Sequence, residues 1–232
     1  GVWSRQGIAP FGVDRMVVEA MHRSTMGVDH DPASLLDHAF RTALADGWGG
    51  SMIATACSDI LFGTPQPVRG RANLGVLKPD TVNVVVHGHE PALSEMLALA
   101  ARDPEVLDKA KAAGAAGLTL AGICCTANEV LMRHGIPVAG SLLQQELAIV
   151  TGAVELMVTD VQCVMPSLPE VAAAYHTRVV ATSEIARTVG AEHAPFDPAR
   201  ALASAKDLLF SAIANYARRD PKKVAIPRET NP

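Results

Sequence analysis

The chain has 232 residues, 49% hydrophobic but only 4% aromatic, and its 20 basic against 24 acidic side chains leave a formal net charge of -4. Such a length can bury a proper core in one or two domains, and so even a charge balance leaves no footprint for nucleic acid or an anionic membrane surface. No apolar run approaches the roughly 20 residues that cross a bilayer, no signal-peptide pattern opens the chain, and four cysteines make no disulfide framework, so a reducing cytoplasm is expected.

In chain order, Asp14 is placed to cap a helix through Met26, and Asp31 with Pro32 to start another through Ala45, with Leu35, Leu36, Phe40 and Leu44 at helical spacing. Gly47, Gly49 and Gly50 are expected to interrupt it, and Ser51 to Phe62 reads as a third helix with Cys57 on its apolar face beside Ile53, Ile60 and Leu61. The stretch from Gly63 to Asp80 is rich in Gly and Pro and reads as a linker. Residues 1–75 are thus expected to be a small helical segment, the remnant of a helical domain.

Beyond it the rhythm changes. Val82 to Val86 is a short β-branched run, with weaker versions at Leu118 to Ile123, Pro137 to Gly140, Leu156 to Val161 and Thr177 to Thr182. Helical segments lie between, at Pro91 to Ala113, Asn128 to His134, Leu143 to Ala153 and Leu168 to Tyr175. Strands alternating with helices predict an α/β fold, a Rossmann-like parallel sheet with flanking helices, over residues 76–200. Asp197 can cap a last helix from Pro198 to Arg219, and residues 201–232 read as that helix plus a linker. The chain starts at Gly1 without an initiator methionine and ends in a polar tail from Arg218 to Pro232, so a larger parent is expected.

In such a sheet ligands gather at the carboxyl ends of the strands. His87 and His89, then Cys124 and Cys125, then Cys163, all fall at or just past ends of apolar runs, and His89, Cys125 and Cys163 are separated by 36 and 38 residues. Thiolate and imidazole together suit iron-sulfur, zinc and nickel chemistry, so the pattern predicts one metal centre assembled by tertiary structure. The opposing reading is that each cysteine is a small apolar core residue, which is what Cys57 is expected to be. Successive strand residues face opposite ways, so one of Cys124 and Cys125 is a ligand and the other packs. His87 shares a face with His89 and is expected to support it. His22, His30, His38, His134, His176 and His193 are expected at the surface or as caps. There is no phosphate-binding loop, no GxGxxG, no GxSxG elbow and no HExxH.

The strings VHGHEP, AGICCTANEVLMRHGIP, QQELAIVTGA and DVQCVMPSLPEVAAAYHT, with DRMVVEAMHRSTMGVDHDP and ADGWGGSMIAT upstream, resemble the middle region of the nickel-containing carbon monoxide dehydrogenases of anaerobic microbes. The resemblance runs over nearly the whole chain. It implies oxidation of carbon monoxide with water to carbon dioxide at a nickel-iron-sulfur cluster, with His89 and Cys125 on the unique iron and Cys163 on the cubane portion, and His87 and Cys124 close by. It also implies further 4Fe-4S clusters held outside this chain, a cytoplasmic homodimer that reaches the inner membrane only through partners, and an electron acceptor such as a ferredoxin. Further cluster ligands would follow residue 232, so the chain is expected to be inactive alone. The alternatives are a metal-free α/β scaffold or relic binding module, and a hybrid-cluster-type oxidoreductase.

Overall fold

A computed structural model describes residues 1–228, and the last four residues of the expected tail lie outside that range. The chain divides into two compact units, Gly1–Thr64 and Pro65–Pro232. Among the described residues no helix is long and apolar enough to cross a membrane.

The first unit is helical: α1 (Val2–Arg5), α2 (Val13–Ser24), α3 (Pro32–Ala45) and α4 (Ala54–Phe62). Asp31 caps α3 as expected, its side chain accepting from the Ala33 N–H at 3.0 Å with Pro32 in the first turn. Asp14 does not cap α2; that position belongs to Gly12. The glycines at 47, 49 and 50 do not interrupt the chain either. They lie in a π-helix, Asp46–Ile53, that joins α3 to α4, because glycine tolerates the wider turn without side-chain crowding. Cys57 is exposed instead of in the core, as are Ile60 and Leu61; among the described residues nothing covers that face of α4. His38, expected at the surface, is buried, with Nε2 donating to the Met16 carbonyl at 3.0 Å.

The second unit holds a six-stranded, wholly parallel sheet in the order β3-β2-β1-β4-β5-β6, as the alternating pattern predicts. The strands are β1 (Val82–His87), β2 (Leu118–Ile123), β3 (Val138–Gly140), β4 (Val154–Thr159), β5 (Arg178–Ala181) and β6 (Glu192–His193). β6 is too short and polar to read from sequence. The helices are α5 (Pro91–Ala100), α6 (Pro104–Ala112), α7 (Cys124–His134), α8 (Gln145–Val150), α9 (Leu168–Ala172) and α10 (Ala201–Tyr216). The single helix expected from Pro91 to Ala113 breaks in two because Pro104 has no N–H and restricts the residue before it; Asp103 then caps α6 through the Glu105 N–H at 2.9 Å.

Period-two alternation sorts β1 between two cores. Val82, Val84 and Val86 pack with Leu93, Leu97, Leu208 and Leu209 on the side of α5, α6 and α10, while Val85 packs with Ile149, Met157 and Leu168 on the side of α8 and α9. The expected linker is partly core: Val76 and Leu77 are buried on this second side, and Asn73 caps a short 3₁₀ turn, Leu74–Val76.

At the amino ends of the strands sits a buried ionic network. The Glu155 carboxylate, fully buried, accepts from the Asn83 N–H at 2.6 Å, from His176 Nε2 at 2.8 Å and from Arg219 Nε and Nη2 at 2.7 and 2.6 Å. Arg219 also donates to the carbonyls of Pro79, Thr81 and Ala153. His176 is therefore a buried partner of a carboxylate, not the surface residue expected. Leaving one charge of such a pair unmatched costs about 3–5 kcal/mol, so Arg219→Ala is expected to lower the free energy of unfolding in urea by that amount. Opening a cavity at fully buried Leu209 by Leu209→Ala is expected to cost about 2–5 kcal/mol in the same measurement.

Candidate metal centre at the carboxyl edge of the sheet

Three strands end level with one another. His87, the last residue of β1, is in register with Ile123 of β2 and Thr159 of β4. His89 and Cys125 each lie two residues beyond that rung and Cys163 four beyond it. The strand order turns back on itself between β1 and β4, and the crevice at such a point is where parallel sheets bind ligands.

The junction of the three loops is Gly88. Its φ of +148° suits glycine, and a Cβ there would fall 1.7 Å from Asp160 Oδ1. Its carbonyl accepts from the Thr126 N–H at 3.1 Å and the Thr126 hydroxyl at 2.7 Å, which fixes the first turn of α7 and with it Cys125. On the other side, the buried Asp160 carboxylate accepts from the His89 N–H at 2.7 Å and the Glu90 N–H at 3.0 Å, and the Asp160 N–H donates to the His87 carbonyl at 3.2 Å.

The imidazole of His89 is oriented by the loop after β4. Its Nδ1 lies 3.0 Å from the Val161 carbonyl; a carbonyl only accepts, so Nδ1 carries the proton and Nε2 presents a lone pair. That Nε2 is 4.0 Å from Cys163 Sγ. Cys163 and Gln162 both adopt left-handed backbone, at φ +54° and +60°, a conformation that non-glycine residues hold only when their surroundings impose it. Two side chains impose it here: His87 Nε2 and Gln145 Nε2 donate to the Cys163 carbonyl at 3.0 and 2.6 Å, and Gln145 Oε1 accepts from the Met165 N–H at 3.0 Å. His87 is fully buried, and that burial holds its pKa below the usual histidine range against the opposing pull of the Cys163 carbonyl.

The two adjacent cysteines separate by backbone geometry. β2 stops at Ile123, and α7 begins at Cys124, itself left-handed at φ +61°, so the strand does not continue through the pair. Cys124 is half-buried against the α8 and α9 core, and burial, with Cys163 and Cys125 nearby, pushes its thiol up to about 11. Cys125 is exposed, as is Cys163, which is not how a cysteine used as core filler sits. The close approach of Gly122 to Ala127, where a Cβ would fall 2.5 Å from the Ala127 Cα, seats α7 against the end of β2.

Beside His89 opens a cleft of about 560 Å³ lined by Glu90, Val161, Thr182, Ile185 and Phe196. Burial, and then the Asp160 carboxylate, raise the pKa of Glu90 above the ordinary glutamate range. α5 starts at Pro91, just past His89, and its amino end adds positive potential at the edge of the site.

The arrangement thus offers imidazole nitrogen and exposed thiol sulfur as donors, a set suited to iron, nickel and sulfide chemistry. Among the described residues, no group of three or more His, Cys, Asp or Glu side chains gathers closely enough for one metal ion. Sequence reasoning missed Gly88, Thr126, Gln145 and Asp160. Gly88, enclosed by two histidines just after a strand, carried a readable signal; a buried amide on a distant helix did not.

The Prismane/CO dehydrogenase family model matches residues 1–228. The chain is 55% identical over 228 residues to carbon monoxide dehydrogenase 1 of Methanosarcina acetivorans, covering 98% of this chain and 36% of that protein. It is 50% identical over 222 residues to the carbon monoxide dehydrogenase of Rhodospirillum rubrum, covering 95% and 34%. Among solved structures, a nickel-free carbon monoxide dehydrogenase from Thermococcus sp. AM4 superposes with a TM-score of 0.95 at 53% identity, over 98% of this chain and 36% of that one. The chain therefore spans about a third of the length of the relatives it matches, and it belongs to the Prismane/CO dehydrogenase family.

Proposed function

We propose that this chain is part of an anaerobic carbon monoxide dehydrogenase, which oxidises carbon monoxide with water to carbon dioxide, two protons and two electrons at a nickel-iron-sulfur cluster. It contributes His89 and Cys125 as ligands of the unique iron and Cys163 as a ligand of the cubane portion. The remaining ligands, and further 4Fe-4S clusters, come from parts of the protein outside these residues, so the chain alone is inactive. The whole protein works as a cytoplasmic homodimer and passes electrons to an acceptor such as a ferredoxin.

The observation that carries this reading is the pairing of His89 Nε2 with Cys163 Sγ at 4.0 Å, with the two residues held in place by bonds to other atoms, His89 Nδ1 and the Cys163 carbonyl. When bound, the cluster supplies an electrophilic site for carbon monoxide, Lewis acidity toward water and a store for electrons. The chain's own residues orient and shield. Val161 fixes the tautomer of His89, His87 and Gln145 fold the Cys163 loop, and the amino end of α5 offsets negative charge at the edge. Glu90, with its raised pKa and place in the cleft, can hold a proton released there.

A second reading, a metal-free α/β scaffold, is favoured by the absence of a three-ligand cluster among the described residues. Anaerobic reconstitution of this polypeptide with iron, nickel and sulfide separates the two. Cys125→Ala is expected to weaken iron binding at least about tenfold, since even changes behind a metal ligand cost that much. Metal that binds weakly and is indifferent to the substitution supports the scaffold.

A further inference from the structure

Asp160 follows the last residue of β4 and is 3% exposed, yet among the described residues no cationic side chain forms an ion pair with it. Its oxygens are spent on backbone: the N–H groups of His89 and Glu90, and its own neighbour Val161. A buried carboxylate is costly unless its hydrogen bonds are worth the desolvation. Here the bonds lock a short loop whose next side chain is a metal-ligand candidate. The same residue also starts the turn that carries Val161, which fixes the His89 ring, and Cys163, whose Sγ lies 4.0 Å from that ring.

Resting on the ligand reading above, we propose that Asp160 is a positioning residue for His89, and that its carboxylate sets the separation of His89 Nε2 from Cys163 Sγ. The two ligands are 74 residues apart in sequence, and Asp160 is the residue that bonds the loop of one while belonging to the loop of the other. Gly88 supports this assignment: the carboxylate occupies the space a Cβ would fill, so the loop is built around it. The isosteric change Asp160→Asn keeps the volume but turns one acceptor into an N–H₂ facing a backbone N–H. With the amide oxygen kept on the His89 and Val161 N–H groups, the Glu90 N–H loses its acceptor, which loosens the loop at the residue after His89 while leaving the imidazole intact.

The test uses the full reading frame that encodes this chain, isolated anaerobically, with iron affinity measured by chelator competition and the iron sites by Mössbauer spectroscopy. Asp160→Asn is compared with His89→Ala and with Thr177→Val, which removes one buried hydrogen bond, to the Val154 carbonyl, at the opposite edge of the sheet. The expected result is about a 10- to 100-fold weaker hold on one iron, with a changed spectrum for that iron alone and sulfide retained. Thr177→Val is expected to change neither. Wild-type affinity and spectrum in Asp160→Asn, with iron lost in His89→Ala, overturn the positioning role while leaving His89 a ligand. Iron unchanged in His89→Ala overturns the ligand reading and this proposal with it. Uniform loss of all iron and sulfide gives Asp160 a general structural role and also overturns it. If Asp160→Asn does not fold, Asp160→Ser, with space for a bridging water, carries the same comparison, and collapse of both counts against the proposal.

Discussion

The close approach of Asp160 to Gly88 is the constraint on which the site depends. Without a side chain at Gly88 the carboxylate can reach the N–H groups of His89 and Glu90, and the Gly88 carbonyl turns toward Thr126 at the start of α7. Three loops that leave three different strands are thereby tied at one residue. The bonds that place His89 and Cys163 use the His89 N–H and Nδ1 and the Cys163 carbonyl, so they do not draw on the lone pairs of Nε2 and Sγ. A donor set placed this way is held by backbone hydrogen bonds and buried polar side chains, each worth little alone but costly to break once buried.

The rest of the second unit makes the knot possible. Parallel pairing puts the carboxyl ends of β1, β2 and β4 at one level, and helices on both faces keep those strands dry. The buried Glu155, Arg219 and His176 network fixes the opposite ends of the strands. Stability and chemistry are therefore separated along the strand direction: a buried ionic network occupies one end, and a nitrogen and a sulfur donor 4.0 Å apart lie at the other.

The sheet was legible in the sequence because its strands are buried on both faces. Runs such as Val82 to Val86 have to be almost wholly apolar, and strand ends then mark where ligands emerge. His89, Cys125 and Cys163 stand out as candidates for that reason, whereas Cys124 and Cys125 read alike, because their different exposure follows from the left-handed backbone at Cys124 that starts α7 early. Local propensity misled elsewhere. The glycines after Ala45 read as a break but form a π-helix, and Cys57, Ile60 and Leu61 read as core but lie exposed. The buried roles of His38 and His176 depend on partners 22 and 21 residues away, which no local pattern records. Asp160 and Gln145 were hidden in the same way, since a polar residue at a strand end or on a short helix is ordinarily solvated.

The central claim is that His89, Cys125 and Cys163 hold one nickel-iron-sulfur cluster at the carboxyl edge of this sheet. Anaerobic crystallography of the full reading frame, with anomalous scattering recorded at the iron and nickel edges, tests it directly. Iron bonded to His89 Nε2 and Cys125 Sγ is expected, with a second iron bonded to Cys163 Sγ in the same cluster. Anomalous density that is absent from this edge, or a cluster ligated there by other residues while these three side chains stay free, would contradict it.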